Sequence, residues 1–295
     1  MLADMHCHSK RSDGGVTQYE LVEIAKASNL DAIAITDHDI YTDTTTTKEL
    51  SEKHNIIIID GVEISAFDYK RNRLVHLLCY MCDEPSSLNS MLESIISARE
   101  KEVLRVLDIV TKLYPITLEM VKRRASDSPT IYKQHIMQTL LDLGYCDSIY
   151  GELNNYLFSS KTGIAKTSIV YPDVYDVMQE IKKAGGFSVL AHPAVYNSYH
   201  IIPELIRVGL QGIEVYYPRA KPTDKVELTQ LAKNYGLLIS GGTDFHGALT
   251  SKINPIGTCT IPEKELEKLF TLKKRDYKKW NLIIDQKVYV HKIFK

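Results

Sequence analysis

Two histidines separated by one residue, His6 and His8, stand at the end of the first predicted strand, Leu2–His8. Side chains two apart on a strand point to the same face, so the two imidazoles converge. Asp244 and His246 repeat this spacing near the other end of the chain, with an apolar residue between them. Imidazole and carboxylate groups on one face suit the capture of a divalent cation. The spacing therefore predicts a metal site supplied by distant parts of the chain.

Five further histidines and acidic residues lie between these two segments, most of them just after a predicted strand. They are Asp13, His38, Glu63, His76 and His192. Any one such residue is more often a hydrogen-bonded core residue or a helix cap than a ligand. Nine donor groups on one rim without cations would leave desolvated acids and bases, which do not stabilise a core. The set as a whole predicts a metal centre.

The elements that must position these residues alternate between strand and helix in the first part of the chain. A capping box, Thr17 to Glu20, predicts the start of the first helix, and a second helix precedes the third strand. The predicted strands are Leu2–His8, Asp31–Thr36, Ile56–Ile59 and Val75–Cys82, with His76 at the opening of the last one. This alternation predicts parallel strands connected by crossover helices.

Beyond Pro85 the apolar residues recur every three or four positions, which predicts a long helix from Leu88 to Leu113. Further helices are predicted at about Leu118–Ala125, Ile131–Leu143 and Ile149–Phe158, without a strand between them. We therefore expect residues 86–166 to form an all-helical insertion. The α/β body is then discontinuous and comprises residues 1–85 and 167–295.

Strand and helix alternate again after Pro172. The predicted strands are Phe187–His192, Gly212–Tyr216 and Leu237–Ser240, and the predicted helices are Asp173–Ala184, Pro203–Val208, Lys225–Tyr235 and Glu263–Leu272. A strand-like tail, Leu282–Val290, is predicted to close the chain.

Composition excludes several classes of protein. The 36 basic and 37 acidic residues nearly cancel, which argues against a surface that attracts nucleic acid mainly by charge. No stretch approaches the roughly 18 apolar residues of a membrane helix, and the first residues lack the pattern of a signal sequence. These features predict a cytoplasmic protein without membrane contact.

Five cysteines without framework spacing predict reduced thiols. Cys79 and Cys82 form a C-x-x-C, but on a strand they are expected to face opposite ways and to serve as small buried apolar residues.

The order of these motifs resembles the PHP family, named for polymerase and histidinol phosphatase, over nearly the whole chain. The motifs are His6-x-His8, Ser12-Asp13-Gly14, Ile35-Thr-Asp-His38-Asp, Gly61-Val-Glu63-Ile-Ser, His76, Ala191-His192-Pro and Ser240-Gly-Gly-Thr-Asp244-Phe-His246. The chain is most similar to the bacterial branch with a helical insertion, whose members resemble nucleoside 3′,5′-bisphosphate phosphatases and short-RNA 5′–3′ exonucleases. The resemblance implies an α/β fold, a distorted (β/α)7 barrel, with two or three divalent metal ions.

The resemblance also implies how the ligands divide among the ions. His6, His8, Glu63 and Asp244 would hold one cation; Glu63 would bridge to a second, held also by His76 and His192. A third would be held by Asp13, His38 and His246. Many members of the family have His where this chain has Asp13. Nitrogen and oxygen ligands without thiolate favour Mn²⁺, Zn²⁺ or Fe²⁺.

The chemistry expected of such a centre is the hydrolysis of an anionic phosphate ester by in-line attack of a metal-bridging hydroxide. Glu63, Asp244 and His192 are the residues expected to be indispensable for catalysis. Asp37 and Asp39, which flank His38, are expected to support or cap their neighbours rather than to ligate.

Four residues are candidates for binding the substrate. Lys133 and His135 lie in the insertion, where relatives commonly have an Arg-Pro-His segment, and would bind a second phosphate; a solvated helix surface is the alternative. Arg219 and Lys166 would clamp phosphate, since Arg suits bidentate contact, although both are also ordinary loop residues.

The sequence therefore predicts hydrolysis of phosphomonoesters of small nucleotides, such as nucleoside 3′,5′-bisphosphates. A 5′–3′ exoribonuclease acting on short RNA and a phosphatase like that for histidinol phosphate are the alternatives. A non-catalytic metal-binding module is disfavoured because all nine ligand positions are filled. The oligomeric state is not predicted.

Overall fold

The computed structural model describes residues 1–273, so the predicted strand Leu282–Val290 lies outside the described residues. Eight strands form one sheet. They are β1 (Leu2–Cys7), β2 (Ala32–Ile35), β3 (Ile57–Asp68), β4 (Arg73–Tyr80), β5 (Phe187–Leu190), β6 (Gly212–Tyr216), β7 (Leu238–Gly241) and β8 (Ile261–Pro262). Their order across the sheet is β7-β6-β5-β4-β3-β2-β1-β8.

The prediction of parallel strands holds for β1 to β3 and for β5 to β7, but it is wrong for β4, which is antiparallel to both neighbours. The reason is the length of β3. This strand continues for twelve residues and turns directly into β4 through residues 69–72, where Asn72 has a φ of 53°. No helix separates the two strands, so they form a hairpin.

The sheet curves until β1 meets the chain that follows β7. The His8 N–H donates to the Phe245 carbonyl at 2.9 Å, and Cys7 forms an isolated bridge with Phe245. Gly242 permits this closure, because a Cβ there would lie 2.4 Å from the His6 backbone nitrogen. The result is the nearly closed (β/α) barrel that the resemblance implies.

Eleven α-helices occur in residues 1–273. They are α1 (Gln18–Ala27), α2 (Thr44–His54), α3 (Asn89–Leu113), α4 (Leu118–Arg124), α5 (Lys133–Asp142), α6 (Glu152–Phe158), α7 (Val174–Lys183), α8 (Pro193–Tyr196), α9 (Ile202–Val208), α10 (Pro222–Tyr235) and α11 (Glu263–Leu272). The predicted capping box of α1 is confirmed, since Thr17 and Glu20 exchange both bonds. None of these helices is long and apolar enough to cross a bilayer.

Helices α3 to α6 follow one another without an intervening strand. They enclose an apolar core of their own, with Val110, Val121 and Ile136 fully buried. The first half of α3 packs differently, because Leu92 and Ile95 join the core between the barrel and α7. The long helix α3 therefore connects the helical segment to the barrel.

Cys79 and Cys82 do not face opposite ways, so this part of the sequence interpretation is wrong. Their Sγ atoms lie 3.2 Å apart. β4 ends at Tyr80, and Met81 adopts a φ of 52°, which turns the chain so that Cys82 returns over Cys79. Both side chains are buried, as expected.

Candidate metal centre

All nine predicted ligands lie around one end of the barrel. The donor atoms of eight of them, all except His192, form three overlapping groups, each with its atoms within 4.8 Å of one another. The groups are His6, His8, Glu63 and Asp244; His8, Asp13, His38 and His246; and His38, Glu63 and His76. His76 does not open its strand as predicted but lies in the middle of β4, opposite Ser65 of β3, because β4 begins at Arg73.

The first group has the spacing of ligands around a single ion. Distances among His6 Nε2, His8 Nε2, Glu63 Oε2 and Asp244 Oδ1 run from 3.1 to 3.6 Å. Four donors held about 2.1 Å from a tetrahedral ion lie about 3.4 Å from one another. The predicted ligand set of the first ion therefore fits a cation.

Glu63 presents its two carboxylate oxygens to different neighbours. Oε2 faces His6, His8 and His38 at 3.1 to 3.2 Å. Oε1 lies 2.8 Å from both His76 Nδ1 and His192 Nε2. A carboxylate divided in this way has the geometry of a bridging ligand between two cations.

Asp13 and His246 form the far side of the cluster. Asp13 Oδ1 lies 3.2 Å from His246 Nε2 and 3.9 Å from His8 Nδ1. His38 borders this group and also the group of Glu63 and His76. The division among ions implied by the resemblance assigned His38 to the third ion alone, whereas the structure places it between two groups.

Several buried donor atoms of the cluster make no hydrogen bond to any residue that the structure describes. They include Asp13 Oδ1, Glu63 Oε2 and His38 Nδ1. A buried polar atom without a hydrogen bond is costly, and divalent cations bound among these atoms would satisfy them. The residues present therefore fit the metal ions that the resemblance implies.

The electrostatics of the cluster keep its carboxylates ionised. Burial alone disfavours the charged forms of Glu63 and Asp244, but the surrounding histidines hold the pKa of both carboxyls well below the usual range. Burial also disfavours a charged His8, yet Asp244 and Glu63 raise its pKa to about 10. In the metal-free cluster, protonated imidazoles such as that of His8 balance the ionised carboxylates, and bound cations would take over this role.

Glu214, a residue of β6 that the sequence interpretation missed, supports two of the predicted ligands. Its Oε1 lies 3.1 Å from His6 Nδ1, and its Oε2 accepts the backbone N–H of His192 at 2.7 Å. The side chain is fully buried. Such a carboxylate fixes the ring orientation and the tautomer of a ligating imidazole. A signal was available, because Glu214 is the one charged residue in the strand Gly212–Tyr216.

Three buried aspartates fix the loops that carry the other ligands. Asp4 accepts from the backbone and hydroxyl of Thr243, next to Asp244. Asp37 accepts from the hydroxyls of Ser9 and Ser12, next to Asp13. The third, Asp39, accepts from the backbone and hydroxyl of Ser65 and from Arg99. The supporting roles predicted for Asp37 and Asp39 are confirmed, and the role of Asp4 was missed.

Two of the predicted ligands have backbone conformations that residues other than glycine rarely adopt. His192 has a φ of 25° and Asp244 a φ of 50°. Such strain persists where the surroundings fix it, which for His192 include the bond from its N–H to Glu214.

A cavity of about 360 Å³ opens above the cluster. Lys133 and Arg219, two of the predicted phosphate-binding residues, both line it, with their side chains exposed. Desolvation by the surrounding protein atoms lowers the pKa of the Lys133 ammonium group, and the negative charge of Asp13 partly offsets this effect. Gln134, missed in the sequence, also lines the cavity and donates to Asp13 Oδ2 at 2.8 Å.

The other two predicted substrate-binding residues lie elsewhere. His135 is buried, and its Nδ1 accepts the N–H of Tyr132, so it caps α5 rather than lining the cavity. Lys166 is exposed and does not line it either; its carbonyl accepts from Arg105.

Comparison with known proteins now assigns the fold and the cluster to a family. The PHP domain matches residues 4–190, well over half of the chain. This chain belongs to the PHP domain family. It is accordingly a metal-dependent phosphoesterase, a hydrolase acting on phosphoric ester bonds.

Three curated relatives of this PHP chain share sequence over most of its length. A phosphoribosyl 1,2-cyclic phosphate 1,2-diphosphodiesterase of Eggerthella lenta is 34% identical over 84% of this chain and 95% of the relative. A 5′-3′ exoribonuclease of Haemophilus influenzae is 27% identical over 82% and 89%. A 3′,5′-nucleoside bisphosphate phosphatase of Chromobacterium violaceum is 28% identical over 82% and 86%.

A solved structure supports the same fold. The metal-dependent phosphoesterase of Bifidobacterium adolescentis superposes with a TM-score of 0.82 at 27% identity, covering 91% of this chain and 95% of its own.

Proposed function

We propose that this chain hydrolyses a phosphomonoester of a small nucleotide that carries a second phosphate, such as a nucleoside 3′,5′-bisphosphate. The observation that carries the proposal is the arrangement of charge around one cavity. Seven of the nine predicted ligands line this cavity, and Lys133 and Arg219 line it as well. Such a cavity holds one phosphate for cleavage and a second anionic group for recognition.

Within this proposal, two to three divalent cations, Mn²⁺, Zn²⁺ or Fe²⁺, would bind among the nine predicted ligands, divided as follows. His6, His8, Glu63 and Asp244 hold one, and Glu63 with His76 and His192 holds a second. The last is held by Asp13, His38 and His246. When bound, such ions lower the pKa of water and neutralise phosphate oxygens.

The protein's own contribution is to fix the donors before substrate arrives. Glu63 keeps both oxygens directed at different groups, and Glu214 holds His6 and the His192 backbone. Asp244 and His192 complete the catalytic set that we propose. Fixed donors need no reorganisation during the reaction, which is the main source of electrostatic catalysis.

Recognition is proposed to come from the helical insertion, residues 86–166, and from the loop after β6. The first supplies Lys133 at the start of α5, and the second supplies Arg219. A guanidinium suits bidentate contact with a phosphate, whereas an ammonium acts as a point charge. Lys166 and His135 remain predictions without a contact to the cavity.

Two relatives define the competing substrates. The Eggerthella lenta relative, named for a phosphoribosyl 1,2-cyclic phosphate, has the higher identity and favours a cyclic diester of a ribose phosphate as a second candidate. The Haemophilus influenzae relative is named as an exoribonuclease. A cavity of about 360 Å³ has the size of a small-molecule site. We therefore favour small phosphorylated ribose compounds over RNA as substrates.

The test is a substrate panel assayed with the full-length, Mn²⁺-loaded protein. Adenosine 3′,5′-bisphosphate, phosphoribosyl 1,2-cyclic phosphate and a 5′-phosphorylated trinucleotide are compared by their kcat/KM, with His192→Ala as the inactive control. We expect the bisphosphate to be the best substrate. Turnover of the trinucleotide alone would exclude the proposal in favour of the exonuclease. Preference for the cyclic diester would establish the second candidate.

A further inference from the structure

A second cavity adjoins the metal centre and plays no part in the function proposed so far. Its volume is about 260 Å³. It shares six lining residues with the larger cavity, among them Asp13, His38, His76 and Lys133, so the two are lobes of one space that meet above the cluster. We call the smaller one the distal lobe.

The distal lobe differs from the larger cavity in the character of its walls. Arg219 lines only the larger cavity. Of the nine residues that line only the distal lobe, six are apolar or aromatic: Leu74, Val103, Ile131, Tyr132, Ile169 and Tyr171. Walls of this kind suit a flat, largely apolar group rather than a phosphate.

Arg99 gives the distal lobe a polar feature with an unused donor. The side chain is buried, with 9% of the residue exposed, and one terminal nitrogen donates to Asp39 at 2.7 Å. Its guanidinium lies 4.5 Å from the ring centre of Tyr132 and 5.9 Å from that of Tyr171. Its Nε–H has no hydrogen-bond partner among the residues that the structure describes. A buried donor without a partner costs free energy that an acceptor on a ligand would recover.

We propose that the distal lobe binds the base of a nucleotide substrate whose scissile phosphate lies at the metal centre. A nucleobase combines a planar face, which stacks on aromatic side chains, with edge acceptors that suit a lobe bordered by the guanidinium of Arg99. The proposal rests on the proposed function and narrows it to substrates that carry a base. A base-free ribose phosphate would leave the lobe to water.

A pair of neighbouring residues offers a matched test. Ile169 lines the distal lobe, whereas Val170 is 74% exposed and does not line it. Ile169→Trp fills the lobe, and Val170→Trp adds the same side chain outside it. Thr167→Trp serves as a second filling variant, because Thr167 also lines the lobe but is exposed and tolerates a larger side chain without repacking the core.

Two readouts are made on full-length, Mn²⁺-loaded protein. The first is kcat/KM for adenosine 3′,5′-bisphosphate and for a base-free ribose bisphosphate. The second is calorimetric binding of adenosine 5′-monophosphate and of ribose 5-phosphate. We expect both filling variants to raise the KM of the nucleotide by about tenfold, which corresponds to the loss of one stacked base. The binding of adenosine 5′-monophosphate should weaken in parallel. The base-free compounds and Val170→Trp should show no change.

Three results would overturn the inference. The filling variants could have the same KM for the nucleotide as Val170→Trp. They could also weaken the binding of the nucleotide and of the base-free compounds equally. The wild-type protein could also prefer the base-free bisphosphate, which refutes the distal-lobe proposal while leaving a phosphoesterase in place. Failure to hydrolyse any compound would refute the proposed function instead, and the binding of adenosine 5′-monophosphate would then still decide whether the lobe accepts a base.

Discussion

His6 uses both of its ring nitrogens, and this double use shows how single residues build the site. Nδ1 lies beside Glu214, while Nε2 faces Glu63 and Asp244. The carboxylate behind the ring favours a proton on Nδ1 and leaves the Nε2 lone pair for a cation. Glu214 is thus a positioning residue that acts through His6.

Glu214→Gln tests this role. The amide would present an N–H group to the backbone N–H of His192 or to His6 Nδ1–H, so one of the two supporting bonds is lost. We expect Mn²⁺ affinity, measured by competition with a chelator, to fall about 10- to 100-fold. The circular dichroism spectrum should not change. Unaltered affinity would show that Glu214 does not orient the ligands.

Arg219→Met tests recognition of the second phosphate. We expect the KM of a nucleoside 3′,5′-bisphosphate to rise roughly tenfold while that of a 3′-monophosphate is unchanged, because one charge-assisted contact is lost. The exposed Lys161, which does not line the cavity, provides the matched control Lys161→Met. An equal rise for both substrates, or for the control, would contradict the assignment.

Residue types and spacing were sufficient to predict which nine side chains gather at one end of the barrel, because pairs such as His6 and His8 combine rare chemistry with strand geometry. They were not sufficient for Glu214 or Gln134. A single acid in a strand, or an amide in a helix, becomes meaningful only when the fold brings it next to a ligand from a distant segment.

The first turn of α5 shows how one element separates two residues that the sequence grouped together. Lys133 lines the cavity, while His135, two positions on, is turned inward and accepts the Tyr132 N–H. Burial lowers the pKa of His135 to about 4, against a smaller opposing effect of Asp13. The neutral ring is therefore part of the folded state.

A pH-dependent loss of stability follows. Because the folded pKa of about 4 lies below the ordinary value of 6.5, the unfolded chain binds the extra proton between these values. The neutral His135 ring contributes about 3 kcal/mol to the free energy of unfolding above pH 6.5, and this contribution is lost as the pH falls to 4. His135→Asn keeps an acceptor for the cap without titrating, so its urea-unfolding free energy should fall less steeply across this range. Parallel curves for the two proteins would contradict the prediction.

Helix α3 is connected to the metal loops by the buried pair of Arg99 and Asp39. Arg99→Met would leave the fully buried Asp39 with only its bonds from Ser65. We expect the free energy of unfolding to fall by about 3–5 kcal/mol. The exposed pair of Lys112 and Asp108 on the same helix is the control, and Lys112→Met should produce no measurable change. A loss no greater than that of the control would show that the buried pair does not stabilise the fold.

Local signals predicted the helices better than the sheet. The cap of α1 and the limits of α11 followed from residue types and periodicity. The direction of β4 did not, since β3 and β4 both read as buried apolar runs and nothing in them distinguishes a hairpin from a crossover. The position of Cys82 over Cys79 likewise depends on the φ of Met81, which its residue type does not indicate.

At the scale of the whole molecule, the site exists only because the two ends of the barrel meet. His6 lies in β1 and His8 directly follows it, whereas Asp244 follows β7, more than 230 positions later in the sequence. The bond from His8 to the Phe245 carbonyl and the close approach of Gly242 to His6 join these segments. Cations would bind this site only in the folded chain, because the unfolded chain does not bring the two ends together. Their binding free energy therefore adds to the stability of the folded state.

The central claim is that three overlapping donor groups hold divalent cations. The most direct measurement is the number of metal ions per chain, determined by elemental analysis after Mn²⁺ or Zn²⁺ loading and exhaustive dialysis, for the wild type and for Glu63→Gln. The account predicts two to three ions per wild-type chain and at least one fewer in the variant, because Glu63 belongs to two of the three groups. A wild-type chain that retains no metal, or a variant that retains as much as the wild type, would contradict it.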